Sequence, residues 1–569
     1  MIPAATFLIS LAMVAAAPKT THFYPSAVTR GVAPVVVAAE GDIGTDPKIW
    51  IDDSQMEFTA TGKPGFFQVS AKPKCRPGWH VIRLYNQEGS TNPIALWVDD
   101  LPNFVENEPN NAPAEATVIG LHFKGGSAQV HGRLEKNGDV DGYRVHIPAG
   151  ATLVARTEAN RTLGSPMDST LQIVDLKGFV LAHNDDSRGV DPELTWTARE
   201  SMDVVVRLFA FPSEPNSTIS FSGGSAYIYR LTLSNGPALD HLSAVAFQKT
   251  DQKPEVKGFN LVDSTIGRIN DASEASGFGF LSVEGAEPLL VPRSIIPTLN
   301  ADAPNADLNL KAPVLVGGTI EKSVQRKPFQ MVVKKGDNIQ FRIFSKAWES
   351  LLDPVLKIRD EKGQVVLEQD DAADNGRDVD QLWAVSADGT YSIEITDLHR
   401  RSGLRYYYGM EVTREGLSPE LNVSATNLIL KAGEKAEIAV TYDKRADLES
   451  PIKIQVQGLP KGFPEVKPTE PAPAAPSDPA KKGTGRRRRG NPAAGQNAIT
   501  IPIQLSADQV KAIGAWSGPV RIIATGSDGQ SLPVRFNGMK GSKMGLDHVW
   551  LTILAAPETK PMPTKPMSK

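Results

Sequence analysis

The sequence predicts an all-β, multidomain chain built from β-sandwiches of immunoglobulin-like and jelly-roll type. Alternating apolar and polar runs such as Gly65-Phe66-Phe67-Gln68-Val69-Ser70 and Tyr143-Arg144-Val145-His146-Ile147 recur along the chain. Alternation puts the apolar side chains of an extended strand on one face. The joints between these runs are rich in turn formers, with 48 glycines and 43 prolines scattered through 569 residues. At about 100–200 residues per domain, this length calls for several such units.

The bulk composition is that of ordinary globular protein, 40% hydrophobic and 22% charged. A net charge of -4 supplies no global field for nucleic acid, so no specific nucleic-acid partner is expected. The single cysteine, Cys75, excludes an intramolecular disulfide and any multi-cysteine metal site, and reads as a small buried hydrophobe. Residues 1–17 read as an export signal: an apolar stretch from Ala4 to Val14 precedes the small residues Ala15-Ala16-Ala17, although Lys and Arg are lacking at the start. No other apolar run approaches the ~20 residues of a membrane span. The expected location is periplasmic, extracellular or cell-surface.

In chain order, residues 18–103 hold about seven short strands, among them Val35-Val36-Val37, Trp79–Leu84 and Ile94–Val98, the density of an immunoglobulin-like sandwich. Residues 104–236 form the next unit. It opens on Val105-Glu106-Asn107-Glu108-Pro109-Asn110-Asn111, followed by Gly138-Asp139-Val140-Asp141-Gly142-Tyr143. Two carboxylates and three amides surround one proline, and two more carboxylates stand directly before a strand. Hard cations such as calcium take six to eight oxygens. Asn, Asp and Gly also favour turns for conformational reasons alone, so spacing leaves a calcium site and a solvated turn about equally open.

Glu-Asn-Glu-Pro-Asn-Asn at 106–111, Gly-Asp-Val-Asp-Gly-Tyr at 138–143, Met-Asp-Ser-Thr-Leu-Gln-Ile at 167–173 and Asn-Asp-Asp at 184–186 resemble, in order, the bacterial pre-peptidase C-terminal domain. That family includes the collagen-binding domains of clostridial collagenases. The resemblance implies a jelly-roll sandwich of a kind found on secreted peptidases and on non-enzymatic surface proteins. It also implies calcium bound by the linker and by the aspartates before the next strand. The matching positions are Glu106, Glu108, Asn110, Asn111, Asp139 and Asp141.

Residues 313–415 repeat the same order of signals. Leu352-Asp353-Pro354-Val355-Leu356-Lys357-Ile358 parallels Met167–Ile173, and Gln369-Asp370-Asp371 parallels Asn184-Asp185-Asp186, which marks a duplicated domain. Where the first copy carries Gly-Asp-Val-Asp-Gly-Tyr, the second has Val324-Gln325-Arg326-Lys327-Pro328-Phe329, so calcium is not expected there. Residues 237–312 read as a further immunoglobulin-like β-domain, and 416–557 as a last sandwich. The last carries a Pro/Ala/Gly-rich insertion at 464–496, and a polar tail follows at 558–569; such composition predicts disorder.

Catalytic motifs are lacking: there is no His-Glu-x-x-His, no Gly-x-Ser-x-Gly and no phosphate loop. His122, His131, His146 and His183 fall in one domain without ligand-like spacing and read as surface or packing residues. Asp185, Asp186, Asp191, Asp370, Asp371, Asp374, Asp378 and Asp380 read as solvated loops, and Trp196 and Trp383 as packing residues. Arg486–Arg489 lack the interleaved aromatics of a nucleic-acid binder and read as a solvated basic loop. The expected function is a secreted, non-catalytic surface binding or scaffold protein whose first jelly-roll holds calcium and whose partner is an extracellular protein or polysaccharide. The alternative is an accessory or substrate-targeting chain of a secreted peptidase or other hydrolase.

Overall fold

The computed structural model describes residues 16–121, 125–214, 220–248, 254–262, 267–271, 277–321, 327–371, 378–414, 421–443, 452–469, 496–526, 531–532, 534–536 and 546–555. The expected export signal except for Ala16 and Ala17, most of the 464–496 insertion with Arg486–Arg489, the 558–569 tail, His122 and Asp374 lie outside the described residues. Among the described residues the chain is all-β, with helix confined to a few short turns. No helix among them is long and apolar enough to cross a membrane.

The first sandwich contains β1 (His22–Tyr24), β2 (Ala27–Thr29), β3 (Val35–Glu40), β4 (Lys48–Ile51), β5 (Met56–Ala60), β6 (Phe66–Ala71), β7 (Gly78–Asn86), β8 (Gly89–Ser90) and β9 (Ile94–Asp99). One sheet has the order β1-β3-β6-β5 and the other β2-β9-β7-β4. Alternate residues from both sheets, including Phe23, Val37, Val69, Ile82, Leu84, Leu96 and Val98, fill the core between them.

The next domain is assembled from β10 (Asn103–Val105), β11 (Thr117–Val118), β12 (Ser127–Arg133), β13 (Asp141–Ile147), β14 (Thr152–Glu158), α1 (Asn160–Leu163), β15 (Met167–Val174), β16 (Val180–Asn184), β17 (Ser187–Val190), β18 (Glu193–Thr197), β19 (Met202–Pro212) and β20 (Ile228–Ser234). Its sheets run β10-β12-β20-β14-β18 and β11-β13-β19-β15-β16. β10 lies parallel on the edge of one sheet, and β11 lies parallel on the edge of the other. The linker between them therefore straps across the end of the sandwich, which places Glu106–Asn111 where the two sheets meet.

The same strand order recurs downstream. Thr298–Asn300, Val314–Thr319, Tyr407–Arg414, Asn338–Phe344 and Val379–Ala384 form one sheet, and Phe329–Val333, Gly389–Asp397, Pro354–Arg359 and Val365–Gln369 the other. An isolated parallel bridge from Asn309 to Gln330 stands in for the pairing of β11 with β13. The registers can be matched through the bulge at Ile173/Val174 and its counterpart at Ile358/Arg359. Asp141 stands opposite Leu208, itself opposite Leu171; Leu356 faces Ile395, and continuing the Phe329–Ile393 register two residues back puts Lys327 in the place of Asp141. Ala301 N donates to the Gly317 carbonyl as Glu106 N does to that of His131, so Ala301 replaces Glu106.

Residues 237–312 differ from the sandwich expected of them. Ala238–Leu242 pairs with Val256–Phe259, and Arg268–Asp271, Phe278–Ser282 and Leu289–Pro292 make a separate small sheet. Among the described residues their shared core holds a few buried side chains, including Leu239, Leu242, Phe247, Leu281 and Val291. Alternation marks a strand but not how many strands stack over it, which is why a small two-sheet wedge reads like a sandwich. Thr298–Asn300 lies parallel to Val314–Thr319, so the second jelly-roll takes up its edge strand before the expected start at 313.

The last sandwich pairs Gln496–Gln504, Lys435–Asp443, Leu421–Val423 and Val534–Phe536 in one sheet, and Asn427–Leu430, Val549–Ile553, Trp516–Thr525 and Lys453–Gln457 in the other. It packs back onto the first sandwich. The buried Arg83 donates to Asn427 Oδ1 at 2.6 Å and to the Thr91 carbonyl at 2.8 Å, and Trp50 sits edge-on to Trp550 at 5.8 Å.

Candidate metal centre

β13 reads Asp-Gly-Tyr-Arg-Val-His-Ile. Period 2 turns Asp141, Tyr143, Val145 and Ile147 inward and leaves Arg144 and His146 on the outer face. Asp141 is the first residue of the strand, so its carboxylate enters the sandwich at the open end where the linker crosses. Glu108, Asp139 and Asp141 each offer a carboxylate oxygen there, all within 4.8 Å of one another. Glu106 joins them from the end of β10. Tyr24 Oη, on the first sandwich, donates to Glu106 Oε1 at 3.2 Å, and Tyr229 Oη reaches Glu106 Oε2 at 3.4 Å and also donates to Asp141 Oδ2. Tyr143 and Tyr229 share a hydrogen bond behind the carboxylates.

The backbone is drawn tight around this cluster. Asn111 Oδ1 accepts from Val140 N at 3.0 Å, and Asn110 Oδ1 from Gly142 N at 3.4 Å, pinning the linker to the start of β13. Asp139 Oδ2 accepts from Glu135 N at 2.6 Å. Gly132 lies opposite Tyr229, and a Cβ there would overlap the Tyr229 ring and come within 2.6 Å of Glu106 Oε2, so only glycine lets the tyrosine reach the acids.

Of the six residues expected from sequence, four carboxylates gather and the two asparagines flank them. The Asn110 and Asn111 carbonyl oxygens already serve backbone amides, so their shown part is to hold the linker. Tyr24, Tyr143, Tyr229 and Gly132 were not legible from sequence: in an alternating strand an inward tyrosine looks like any core aromatic.

The electrostatics are unfavourable for bare carboxylates. Asp141 is 0% exposed, and neither its Oδ1 nor Glu108 Oε1 receives a hydrogen bond from a protein donor; only a proton shared with the adjoining carboxyls partners them. Burial, then the adjoining Glu106 charge, pushes the Asp141 carboxyl far above the usual carboxylate range. Burial raises Glu106 as well, and burial with the Asp139 charge raises Glu108. Above their ordinary range, Asp141 and Glu106 thus keep protons in the folded, metal-free chain that the unfolded chain has released. Raised carboxyls contribute stability that is fully present below their ordinary value of about 4 and is lost as the pH climbs through their raised values. Urea unfolding in a chelating buffer should accordingly show stability falling from mildly acidic to mildly alkaline pH, and added calcium should flatten that fall.

Other sequence expectations resolve as follows. His131 is buried, with Nδ1 3.3 Å from Ser26 Oγ and Nε2 2.7 Å from Asn103 Oδ1; burial, then the Arg230 charge, lowers it to about 3, so it is a neutral strut between the two domains. Asp191 and Asp378 are not solvated loop residues. Asp191 accepts from the backbone of Ala159, Asn160 and Arg161, and Asp378 from that of Ser345, Lys346 and Ala347, each tying down a tight turn. Trp383 is buried in its core and Trp196 packs partly buried against its own. Ser201, His146 and Asp203 line up by hydrogen bonds of 3.1 and 2.7 Å, but the His146 side chain is 62% exposed and Asp203 is shared with Arg144. The three side chains form a hydrogen-bond chain on the exposed face of the sheet.

Models of known protein families find no match in this chain, and neither do the curated proteins. Among solved structures, the pre-peptidase C-terminal domain of a collagenase from Bacillus anthracis is 16% identical, covering 23% of this chain and 98% of that one at a TM-score of 0.16. The alpha-2-macroglobulin of E. coli is 10% identical over 96% of this chain and 40% of its own, at a TM-score of 0.13. The CBM51-2 and INT domains of Clostridium perfringens ZmpB, solved with GlcNAc, are 8% identical over 68% of this chain and 98% of theirs, also at 0.13. Similarity at these scores carries no argument, and the site rests on its own geometry.

Proposed function

We propose that the chain is an exported, non-catalytic binding or scaffold protein in which calcium locks the first sandwich to the first jelly-roll. The observation that carries the calcium reading is the convergence of the Glu108, Asp139 and Asp141 carboxylates, in which the buried Asp141 Oδ1 and Glu108 Oε1 receive no hydrogen bond from any protein donor. Leaving a buried polar atom unpaired costs about 1–3 kcal/mol, more when it is charged. An all-oxygen, carboxylate-rich donor set suits a hard cation, and calcium tolerates the irregular geometry that such a strap imposes. Glu106, Glu108, Asp139 and Asp141 would hold it, with Asn110 and Asn111 keeping the linker in place. The ion would supply positive charge that offsets carboxylate repulsion. Tyr24 carries that effect into the first sandwich, because its hydroxyl is bonded to Glu106.

The second jelly-roll supports the same reading by contrast. It keeps the strand order while Lys327 and Ala301 stand in the places of Asp141 and Glu106, so the fold does not require the acids. The partner would be an extracellular protein or polysaccharide, displayed to by sandwiches held at a fixed angle. Thermal unfolding with calcium against chelator tests this. At calcium about 100-fold above its dissociation constant, stability should rise by about 2.7 kcal/mol. An unchanged transition would remove the calcium lock, and turnover of any substrate in a broad hydrolase panel would remove the non-catalytic reading.

A further inference from the structure

A cavity lies where four parts of the chain meet. Its wall includes Trp97 from the first sandwich, Arg188 from the first jelly-roll, His241 and Leu290 from the wedge, and Trp348 and Glu349 from the second jelly-roll. We propose that this cavity binds one neutral sugar unit. The inference gives the chemistry of the partner, so it rests on the binding role proposed above and not on the calcium lock.

Size and wall both suit such a guest. The cavity leaves about 100 Å³ for the centres of water molecules. One water needs about 10–15 Å³ on that measure, so the space takes several waters together, the bulk of a single sugar ring. More than half of the lining residues are aromatic or aliphatic, the composition of small-molecule sites. Leu290 and Trp348 are half-buried, which leaves part of each open to a guest. A sugar ring carries C–H groups on its faces and hydroxyls round its rim. Apolar walls with polar groups between them match both.

The charges in the wall are already paired. Arg161 lies 3.2 Å from Glu158 and 2.7 Å from Glu349, and Arg188 lies 2.8 Å from Glu349 and 3.5 Å from Glu193. Arg156 pairs with Glu193 and Glu287. A charged guest would have to break one of these pairs or face a like charge, and a buried charge stripped of its partner is costly. A neutral guest leaves them intact.

Two lining residues keep a buried atom without a partner, Arg188 at Nε and His241 at Nε2. Arg188 Nε carries a hydrogen and calls for an acceptor. His241 calls for the opposite. Its Nδ1 lies 2.8 Å from Asp240 Oδ2, and its ring stacks on Tyr407 at 3.9 Å. Burial works against the charge on Asp240, but Arg405 Nε, 3.3 Å from Oδ1, and the bond to His241 outweigh it and hold the carboxyl below its ordinary range. An ionised Asp240 only accepts, so the neutral imidazole carries its hydrogen on Nδ1 and offers a lone pair at Nε2. Hydroxyls both donate and accept, so a polyol serves both residues. A carboxylate or phosphate would serve Arg188 alone, and an ammonium His241 alone.

Saturation-transfer NMR on the full chain tests this, once in calcium and once in chelator. The probes are the methyl glycosides of glucose, galactose, mannose and their 2-acetamido counterparts, with the uronic acids and free amino sugars as charged analogues. At least one neutral glycoside should bind under both conditions, and its charged analogues at least tenfold more weakly. His241→Phe keeps a ring against Tyr407 and removes the acceptor, so it should weaken binding at least tenfold with the thermal transition kept. If that variant does not fold, Trp348→Ala should show the same loss. No transfer to any neutral glycoside, equal binding by the folded variant, or preference for a charged analogue overturns the assignment. Absent sugar binding with stabilisation by calcium retained defeats this assignment alone. Hydrolysis of a bound glycoside would uphold the site and remove the non-catalytic reading.

Discussion

Replacing Arg230 by Met should destabilise the protein by roughly 3–5 kcal/mol, read as a lowered urea midpoint, because it leaves the buried Asp99 without a counter-charge and takes one of two arginines from the buried Glu287. Arg230 sits on the outer face of β20 at 0% exposure. Its Nη2 is 2.8 Å from Asp99 Oδ1 at the end of β9, its Nη1 pairs with Glu287 in the wedge between the jelly-rolls, and its guanidinium lies 4.2 Å over the Trp97 ring. One side chain thus joins the first sandwich, the first jelly-roll and the wedge. Burial pulls Glu287 upward, but the Arg230 and Arg156 charges outweigh it and hold the carboxyl down at about 2; burial wins at Asp99, which rises to about 6. Methionine keeps most of the volume, so the loss reports charge rather than a cavity. Adding Glu287→Gln to Arg230→Met should recover part of it. A loss below about 1 kcal/mol would mean that water reaches these carboxylates.

Asp141→Asn should separate two effects of one residue. In chelator the variant should be at least as stable as the parent near neutral pH, because it removes the carboxyl that burial and Glu106 disfavour most. In calcium it should be the less stable of the two, having lost the ion's contribution of about 2.7 kcal/mol under the same saturation. The asparagine still accepts from Tyr229, so the strand start is kept. A variant that is destabilised equally with and without calcium would make Asp141 a packing residue.

The all-β class was legible because alternation is a local property, and β13 shows it residue by residue. The acidic strap was legible because its carboxylates fall in two short motifs. What joins them was not: Tyr229 stands opposite Gly132 and bonds Asp141 only after the strands pair. Arg230 reads as a surface arginine in its strand and becomes a buried one because Asp99 and Glu287 are folded over it. Asp191 looked solvated for the converse reason, since the backbone amides it binds belong to residues 159–161. The repeat was visible in sequence, and the strand register agrees with the alignment that puts Lys327 in the place of Asp141. Cys75 was read correctly as buried, but its neighbours His80 and Asp53 come together through a turn and a strand pairing that no local pattern encodes.

The most direct test of the calcium lock is calorimetric titration of the chelator-stripped full chain with calcium, in parallel with Asp141→Asn. One ion per chain is predicted, with proton release that increases as the pH is lowered and with binding lost in the variant. An absence of heat, or unchanged binding by Asp141→Asn, would contradict it.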